Sequence, residues 1–204
     1  MNELQYADDN VCPAHSHEEL QQSVNNYSNA YTTYGMTINK NKTKLIVQPP
    51  PGEDMPERNI TIGDTNIEQT RLFPYLGSIL SSQGTSSKDV ENRIQAAYSA
   101  FGKLSGRVFR NKDLTSKTKL MIYNAIVVST LLYGCETWTL YRRDLKNLEL
   151  FHQGKLCSIF KIPWLDHNTN NEVLERAETI SIEAMIVKHR FRWMGHVIRV
   201  EESA

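Results

Sequence analysis

The spacing of apolar residues divides the chain into a first part of short extended runs and a second part of helices. The first part opens with two predicted strands around the acidic turn Asp8-Asp9-Asn10. A helix follows, which begins at Ser16 or His17 and ends at Gly35. Its apolar face consists of Leu20, Val24, Tyr27, Tyr31 and Tyr34.

Further extended runs lie between this helix and residue 80. They are predicted at 36–38, at 43–47, in a hairpin over 59–68, and at 73–80. A proline-rich polar loop from Pro49 to about Glu57 interrupts them. Pro74 lacks a backbone donor, so the last strand is expected at a sheet edge or a bulge.

From Ser86 onward, apolar positions recur every three or four residues, which predicts helices. The predicted starts are Ser86 or Ser87, Thr115 or Ser116, Arg143, Asn168–Asn170, and Ser181. The second helix is expected to end at Gly134 and the third before Pro163. The pattern therefore predicts an α+β fold, with short β-hairpins and one helix in residues 1–82 and a mainly helical region in residues 83–204.

Composition indicates an ordinary folded protein. The 204 residues include 40% hydrophobic residues, and 23 Lys and Arg balance 23 Asp and Glu. No apolar run approaches the roughly 18 residues of a membrane helix, and Met1-Asn2-Glu3 does not resemble a signal peptide. Cys12, Cys135 and Cys157 are too dispersed for a disulfide framework. We therefore expect an intracellular protein of the nucleus or cytoplasm with no membrane partner.

The net charge of zero conceals an asymmetry along the chain. Residues 1–102 contain 7 Lys and Arg against 12 Asp and Glu, whereas residues 103–204 contain 16 against 11. A basic part of this kind can bind nucleic acid, although a difference of this size also arises by chance.

The sharpest chemical feature is Tyr6-Ala7-Asp8-Asp9. Two adjacent carboxylates at a hairpin turn repel each other, and a divalent cation such as Mg²⁺ relieves that repulsion through hard oxygen ligands. Paired carboxylates that hold metal ions are typical of phosphoryl transfer. The alternative is a solvated turn, because Asp and Asn favour turns for conformational reasons.

The residues around this turn resemble a known family. Tyr6-Ala7-Asp8-Asp9, followed by a helix and by the segment 35–43, resembles the catalytic end of the reverse transcriptase palm. Phe73-Pro74-Tyr75-Leu76-Gly77-Ser78 resembles the Tyr-Leu-Gly segment of non-LTR (LINE-like) retrotransposon enzymes. The segments 133–138 and 190–199 resemble the region after the polymerase core in those elements.

The resemblance implies the C-terminal part of a palm in residues 1–82 and a helical thumb and connection in residues 83–204. It implies RNA-directed DNA synthesis, with Mg²⁺, deoxynucleoside triphosphates, an RNA template and a DNA primer. Asp8 and Asp9 match the catalytic, metal-binding aspartates, Asp8 being the more direct ligand. Lys42 matches a lysine near the triphosphate that can donate a proton to the leaving pyrophosphate.

Nucleic-acid contacts are also implied by the resemblance. Tyr6 matches the aromatic beside the primer terminus, and Tyr75, Leu76 and Gly77 match the primer-grip hairpin. The expected phosphate-binding residues of the thumb are Lys103, Arg107, Arg190 and Arg192. Trp193 could stack on a base.

Each of these assignments has a structural alternative. Tyr75 and Leu76 could be core residues, and the charged clusters could be solvated helix faces. The three tryptophans, Trp138, Trp164 and Trp193, could be core residues as well.

The sequence departs from the family in two respects. A third catalytic aspartate and the fingers lie upstream of the paired aspartates in the family, and this sequence has five residues before Tyr6. Asn10 stands where a hydroxyl or apolar residue is expected. We therefore expect the chain to be inactive as a polymerase when isolated. The alternative is a non-catalytic α+β remnant that binds nucleic acid weakly or has no function.

A zinc site is not predicted from the spacing of Cys and His. Cys12, His15, His17, His189 and His196 form no CxxC or HExxH pattern. His152 lies on an apolar helical face and is predicted to be a hydrogen-bonded core histidine.

Overall fold

The computed structural model describes residues 4–50, 52–163, 166 and 168–201. The chain forms two compact units, Met1–Gly84 and Thr85–Ala204, which we describe separately. Short strand pairs lie in the first unit and helices dominate the second, which confirms the predicted α+β class. The assignment of residues 1–82 to a palm and 83–204 to a thumb stays a prediction.

The described residues of the first unit form one helix and four two-stranded pairings. Its elements are β1 (Leu4–Tyr6), β2 (Asp9–Val11), α1 (His17–Thr33), β3 (Lys44–Leu45), β4 (Thr61–Ile62), β5 (Thr65–Asn66), β6 (Glu68–Gln69), β7 (Leu72–Tyr75) and β8 (Ser78–Ser81). The antiparallel pairs are β1–β2, β4–β5 and β7–β8, whereas β3 pairs in parallel with β6. Residues 36–38 form no strand, contrary to the prediction, because three extended residues without a pairing partner gain no ladder hydrogen bonds.

The core of this unit is small. Leu45, Ile60, Ile62 and Ile67 are buried together, and Leu20 and Val24 of α1 pack against them. Gln21 ties the helix to β4, because its side-chain amide donates to the Thr61 carbonyl and accepts from the Thr61 N–H, both at 2.9 Å. Ser16 caps α1, as predicted, by accepting from the Glu19 N–H.

The segment 73–80 forms a hairpin, where the apolar pattern predicted a single strand and the resemblance implied a hairpin. Leu76 and Gly77 connect β7 to β8, and both have positive φ, 46° and 82°. A two-residue turn with positive φ at both positions matches the twist of paired strands, and Gly77 adopts that conformation without strain. Pro74 lies in β7 opposite Ile79, in a pair where both strands are edges.

The second unit is helical. Its elements are α2 (Ser87–Leu104), a π-helical turn (Ser105–Phe109), α3 (Ser116–Ile122), a second π-helical turn (Tyr123–Val128), α4 (Ser129–Leu131), a 3₁₀ turn (Cys135–Thr137), α5 (Arg142–Phe160), α6 (Asn170–Arg176) and α7 (Ile182–Glu201). No helix of the described residues is long and apolar enough to cross a membrane.

The core of the second unit is larger and includes specific polar contacts. Its fully buried side chains include Tyr123, Leu131, Leu148, Leu156 and Ile182. Phe101 stacks on Phe109 with ring centroids 4.2 Å apart. The indole Nε1 of buried Trp138 donates to Asp89 Oδ2 at 2.7 Å, and Ser87 donates to Asp144 at 2.6 Å. These bonds satisfy buried carboxylates that would otherwise destabilise the core.

His152 is a core histidine, as predicted. It is fully buried, and its Nδ1 lies 2.9 Å from the hydroxyl of Tyr123. Burial lowers the pKa of His152 to about 4, and the nearby backbone of Ile180 opposes this shift in smaller measure. The imidazole is therefore neutral at physiological pH.

Candidate functional site

The paired aspartates lie at the tip of the β1–β2 hairpin. Tyr6 pairs with Asp9, so Ala7 and Asp8 form a two-residue turn between the strands. Tyr6, Asp8 and Asp9 are all exposed, and Tyr6 retains 64% of its accessible surface. Both carboxylates can therefore bind a cation without first losing a buried partner.

Ala7 gives this tip a strained backbone. Its φ of 52° lies in the left-handed region, which costs an L-residue about 1–2 kcal/mol. Strain of this kind persists only where the surrounding structure maintains it, and it is enriched at functional sites.

Asn10 anchors the hairpin to α1. Its side-chain amide Nδ2 donates to the hydroxyl of Tyr31, which projects from the helix. This contact gives a physical role to the residue that departs from the family pattern. It also fixes the hairpin, whose two short strands would be only marginally stable in isolation.

The Tyr75–Gly77 segment forms a second hairpin tip. Tyr75 pairs with Ser78 and is half-buried, whereas Leu76 is exposed at 40% and has a left-handed backbone. Leu76 is thus not the core residue that the structural alternative proposed. The primer-grip role of Tyr75, Leu76 and Gly77 stays a prediction.

Lys42 differs from the two lysines beside it. Lys40 Nζ donates to Thr65 Oγ1 at 3.2 Å, and Lys44 Nζ lies 2.5 Å from the carboxylate of Glu68. The ammonium of Lys42 is exposed, with no partner in the part of the chain that the structure describes. The Lys42 backbone is nevertheless ordered, because its N–H donates to Asn39. Its location on a turn before β3 leaves the side chain available for an anionic ligand.

The four basic residues predicted to bind phosphates lie in two places of the second unit. Lys103 and Arg107 are exposed at the end of α2 and in the π-helical turn that follows. Arg190 and Arg192 lie on α7. Arg190 has a structural contact, because its Nη2 donates to the Trp138 carbonyl at 2.5 Å.

Two of the segments that carry the family resemblance, 133–138 and 190–199, lie beside each other in the second unit. They adjoin because α7 packs against the Cys135–Thr137 turn. Between them lies an open groove of about 450 Å³, lined by Glu136, His189, Arg192, Trp193, His196 and Arg199. We refer to these six residues as the α7 groove.

The α7 groove combines cationic and aromatic groups. Trp193 is 52% exposed, so it is not a core residue, whereas Trp138 is buried; Trp164 lies outside the described residues. The rings of Trp193 and His196 are 5.6 Å apart. Guanidinium groups can bind phosphates and an exposed indole can stack on a base, which are the two contacts that single-stranded nucleic acid requires.

The structure brings together three potential metal ligands at this groove that the sequence analysis did not identify as a cluster. Cys135, Glu136 and His189 place one ligand atom each within 4.8 Å of the other two. Cys135 is buried, and burial, with the neighbouring Glu136 carboxylate, raises the pKa of its thiol to about 12. The cluster joins residues 53 positions apart, so no spacing motif could have revealed it.

The chain is similar to an uncharacterized transposon-derived protein of Caenorhabditis elegans. The two are 22% identical over 208 residues, which cover all of this chain and 74% of the worm protein. No protein-family model matches this chain, and no solved structure matches it.

Proposed function

We propose that this chain is a portion of a non-LTR retrotransposon reverse transcriptase, with metal-binding aspartates in the first unit and a nucleic-acid-binding surface in the second. The observation that carries the proposal is the β1–β2 hairpin, which presents Asp8 and Asp9 at an exposed, strained tip beside Tyr6. Similarity to a transposon-derived protein supports a transposon origin.

In the proposed reaction, Asp8 and Asp9 would hold Mg²⁺, whose charge would offset that of the phosphates of the incoming nucleotide. Lys42 would approach the leaving pyrophosphate. Lys42 suits this role better than Lys40 or Lys44, because both neighbours already have side-chain partners. A third carboxylate, which the resemblance places on an upstream strand, would complete the metal site.

The second unit would contact nucleic acid through phosphates. Lys103 and Arg107 are exposed on one part of this unit, and Arg192 and Trp193 line the α7 groove. Such contacts release counterions, so affinity should fall steeply as salt rises.

The first test measures binding of a labelled RNA–DNA duplex by fluorescence anisotropy across a salt series. We expect affinity to fall linearly on a double-logarithmic plot, and R192Q to reduce the slope by about 1. K88Q is the matched control, since Lys88 is an exposed lysine of the same unit that already pairs with Glu91 at 2.8 Å. Absence of duplex binding at low salt would favour a remnant without nucleic-acid function.

The second test concerns catalysis. Purified chain with Mg²⁺, dTTP, poly(A) template and an oligo(dT) primer should give no extension, because two carboxylates form an incompletely preorganised metal site. Extension that disappears in D8A would contradict this expectation and show that the paired aspartates suffice.

A further inference from the structure

The Cys135, Glu136 and His189 cluster has the donor atoms of a transition-metal site. A thiol, a carboxylate and an imidazole lie within 4.8 Å of one another. In a tetrahedral zinc site with bonds of about 2.0–2.3 Å, ligand atoms are separated by about 3.3–3.8 Å. A side-chain adjustment of about an ångström would therefore bring the three groups to coordination distance.

The framework around the cluster is held in place. Gly134, at a φ of 72°, starts the turn that carries Cys135 and Glu136, and the Thr137 hydroxyl donates to the Gly134 carbonyl at 2.8 Å. The Arg190 guanidinium braces α7 against the end of the same turn, one residue after His189. Two ligands on a rigid turn and one on an adjacent helix give the preorganisation that a metal site needs.

The ligand types select among metals. Mg²⁺ and Ca²⁺ prefer oxygen ligands, whereas a set of sulfur, nitrogen and oxygen suits zinc. Zinc binding would displace the proton of the Cys135 thiol to solvent. The resulting thiolate and the Glu136 carboxylate carry two negative charges, which balance Zn²⁺ despite the guanidinium groups of Arg192 and Arg199 nearby. Glu136 and His189 also line the α7 groove, so a fourth position could be reached by solvent.

We propose that Cys135, Glu136 and His189 bind one Zn²⁺ ion, with a water molecule as fourth ligand, and that this ion fastens α7 to the Cys135–Thr137 turn. The site is separate from the Asp8 and Asp9 pair, and it uses residues whose sequence spacing predicted no zinc. Bound zinc would stabilise the wall of the α7 groove, because a ligand that binds the folded state raises its stability.

The test titrates Zn²⁺ alone into the full chain, after removal of metal with a chelator, in competition with a chromophoric chelator. We expect one zinc per chain and a rise in melting temperature on binding. H189Q and E136Q should each weaken zinc binding by about 10–100-fold or more, since removing even an outer-sphere partner has an effect of that size. H196Q is the matched control, because His196 lies on the same helix and in the same groove but outside the three-residue cluster.

Co²⁺ substitution identifies the sulfur ligand. A thiolate-to-cobalt charge-transfer band should appear in the unmodified chain and in C157S, and should be absent from C135S. Because Cys135 is buried and C135S could unfold, H189Q with retained circular dichroism gives an independent measurement. Failure to bind stoichiometric zinc, or equal affinity in H189Q and H196Q, would overturn the proposal. The test uses no nucleic acid, so its failure is distinct from failure of the proposed function.

Discussion

At the residue scale, the clearest consequence for stability comes from His152. The imidazole is buried against Tyr123 and its pKa is lowered to about 4, from 6.5 in an exposed histidine. Between pH 6.5 and pH 4, the His152 imidazole is mostly protonated in the unfolded chain and mostly neutral in the folded chain. The stability due to the neutral imidazole is thus complete above pH 6.5 and is lost progressively as the pH falls towards 4.

We therefore predict that the free energy of unfolding falls by about 2 kcal/mol between pH 7.5 and pH 5 on account of His152. Urea unfolding at both pH values measures this decrease. H152Q is less stable throughout but should lose this part of the pH dependence, since glutamine does not titrate. An equally steep pH dependence in H152Q would show that other groups are responsible.

Residue-level predictions succeeded where local pattern determines the environment. His152 occupies an apolar helical face, and burial follows from that periodicity alone. The Cys135, Glu136 and His189 cluster was not predictable, because packing of α7 against a distant turn creates it. The roles of Asp8, Asp9 and Lys42 stay predictions.

At the element scale, the two hairpins that carry the family resemblance share one backbone feature, although only the second has positive φ at both turn residues. Each has a two-residue turn whose first residue, Ala7 or Leu76, has positive φ. Neither residue is the Asn, Asp or Gly that such a turn favours. The chain therefore retains strain at both tips.

Substitution A7G should relieve this strain. Gly adopts the observed φ freely but loses more backbone entropy on folding, so the net gain should be about 0.5–1 kcal/mol. Hydrogen exchange of the β1 and β2 amides, measured by NMR, would report this gain as slower exchange. A14G is the control, since Ala14 lies in a nearby loop without positive φ, and it should speed exchange or leave it unchanged. Faster exchange in A7G would contradict the inferred strain.

The elements themselves were predictable to different degrees. The long helices follow from apolar stripes, and Ser16 and Thr169 cap α1 and α6 through local hydrogen bonds. The apolar pattern over 73–80 predicted one strand, whereas the resemblance implied a hairpin at Tyr75, Leu76 and Gly77, where the structure has the turn. Glycine often ends a helix, but Gly195 lies inside α7, which continues to Glu201.

At the scale of the whole molecule, the two units differ in how much apolar surface they bury. Among the described residues, the hydrophobic cluster of the first unit has 4 buried members and that of the second has 19. Since burial of apolar side chains is the main favourable term in folding, the first unit should open more readily.

Hydrogen–deuterium exchange with mass spectrometry tests this difference along the chain. We predict faster exchange for peptides from residues 4–84 than for peptides from α2 and α5, with the β1–β2 hairpin exchanging first. The comparison should be made at one pH and at several exchange times. Equal protection in both units would show that the four-residue core is sufficient.

The π-helical turn at Tyr123–Val128 has a consequence for how this part of the chain can change in length. Its i to i+5 hydrogen bonds accommodate about one residue more than an α-helical turn. Deleting one residue there would restore α-helical winding and leave the downstream direction nearly unchanged, because about five π-helical residues turn the chain as far as about four α-helical ones. Leu131 and Leu132, both buried, would then keep the directions they have now. A single-residue deletion within this wide turn should therefore be better tolerated than one within α5, where the residues downstream would rotate by about 100° about the helix axis.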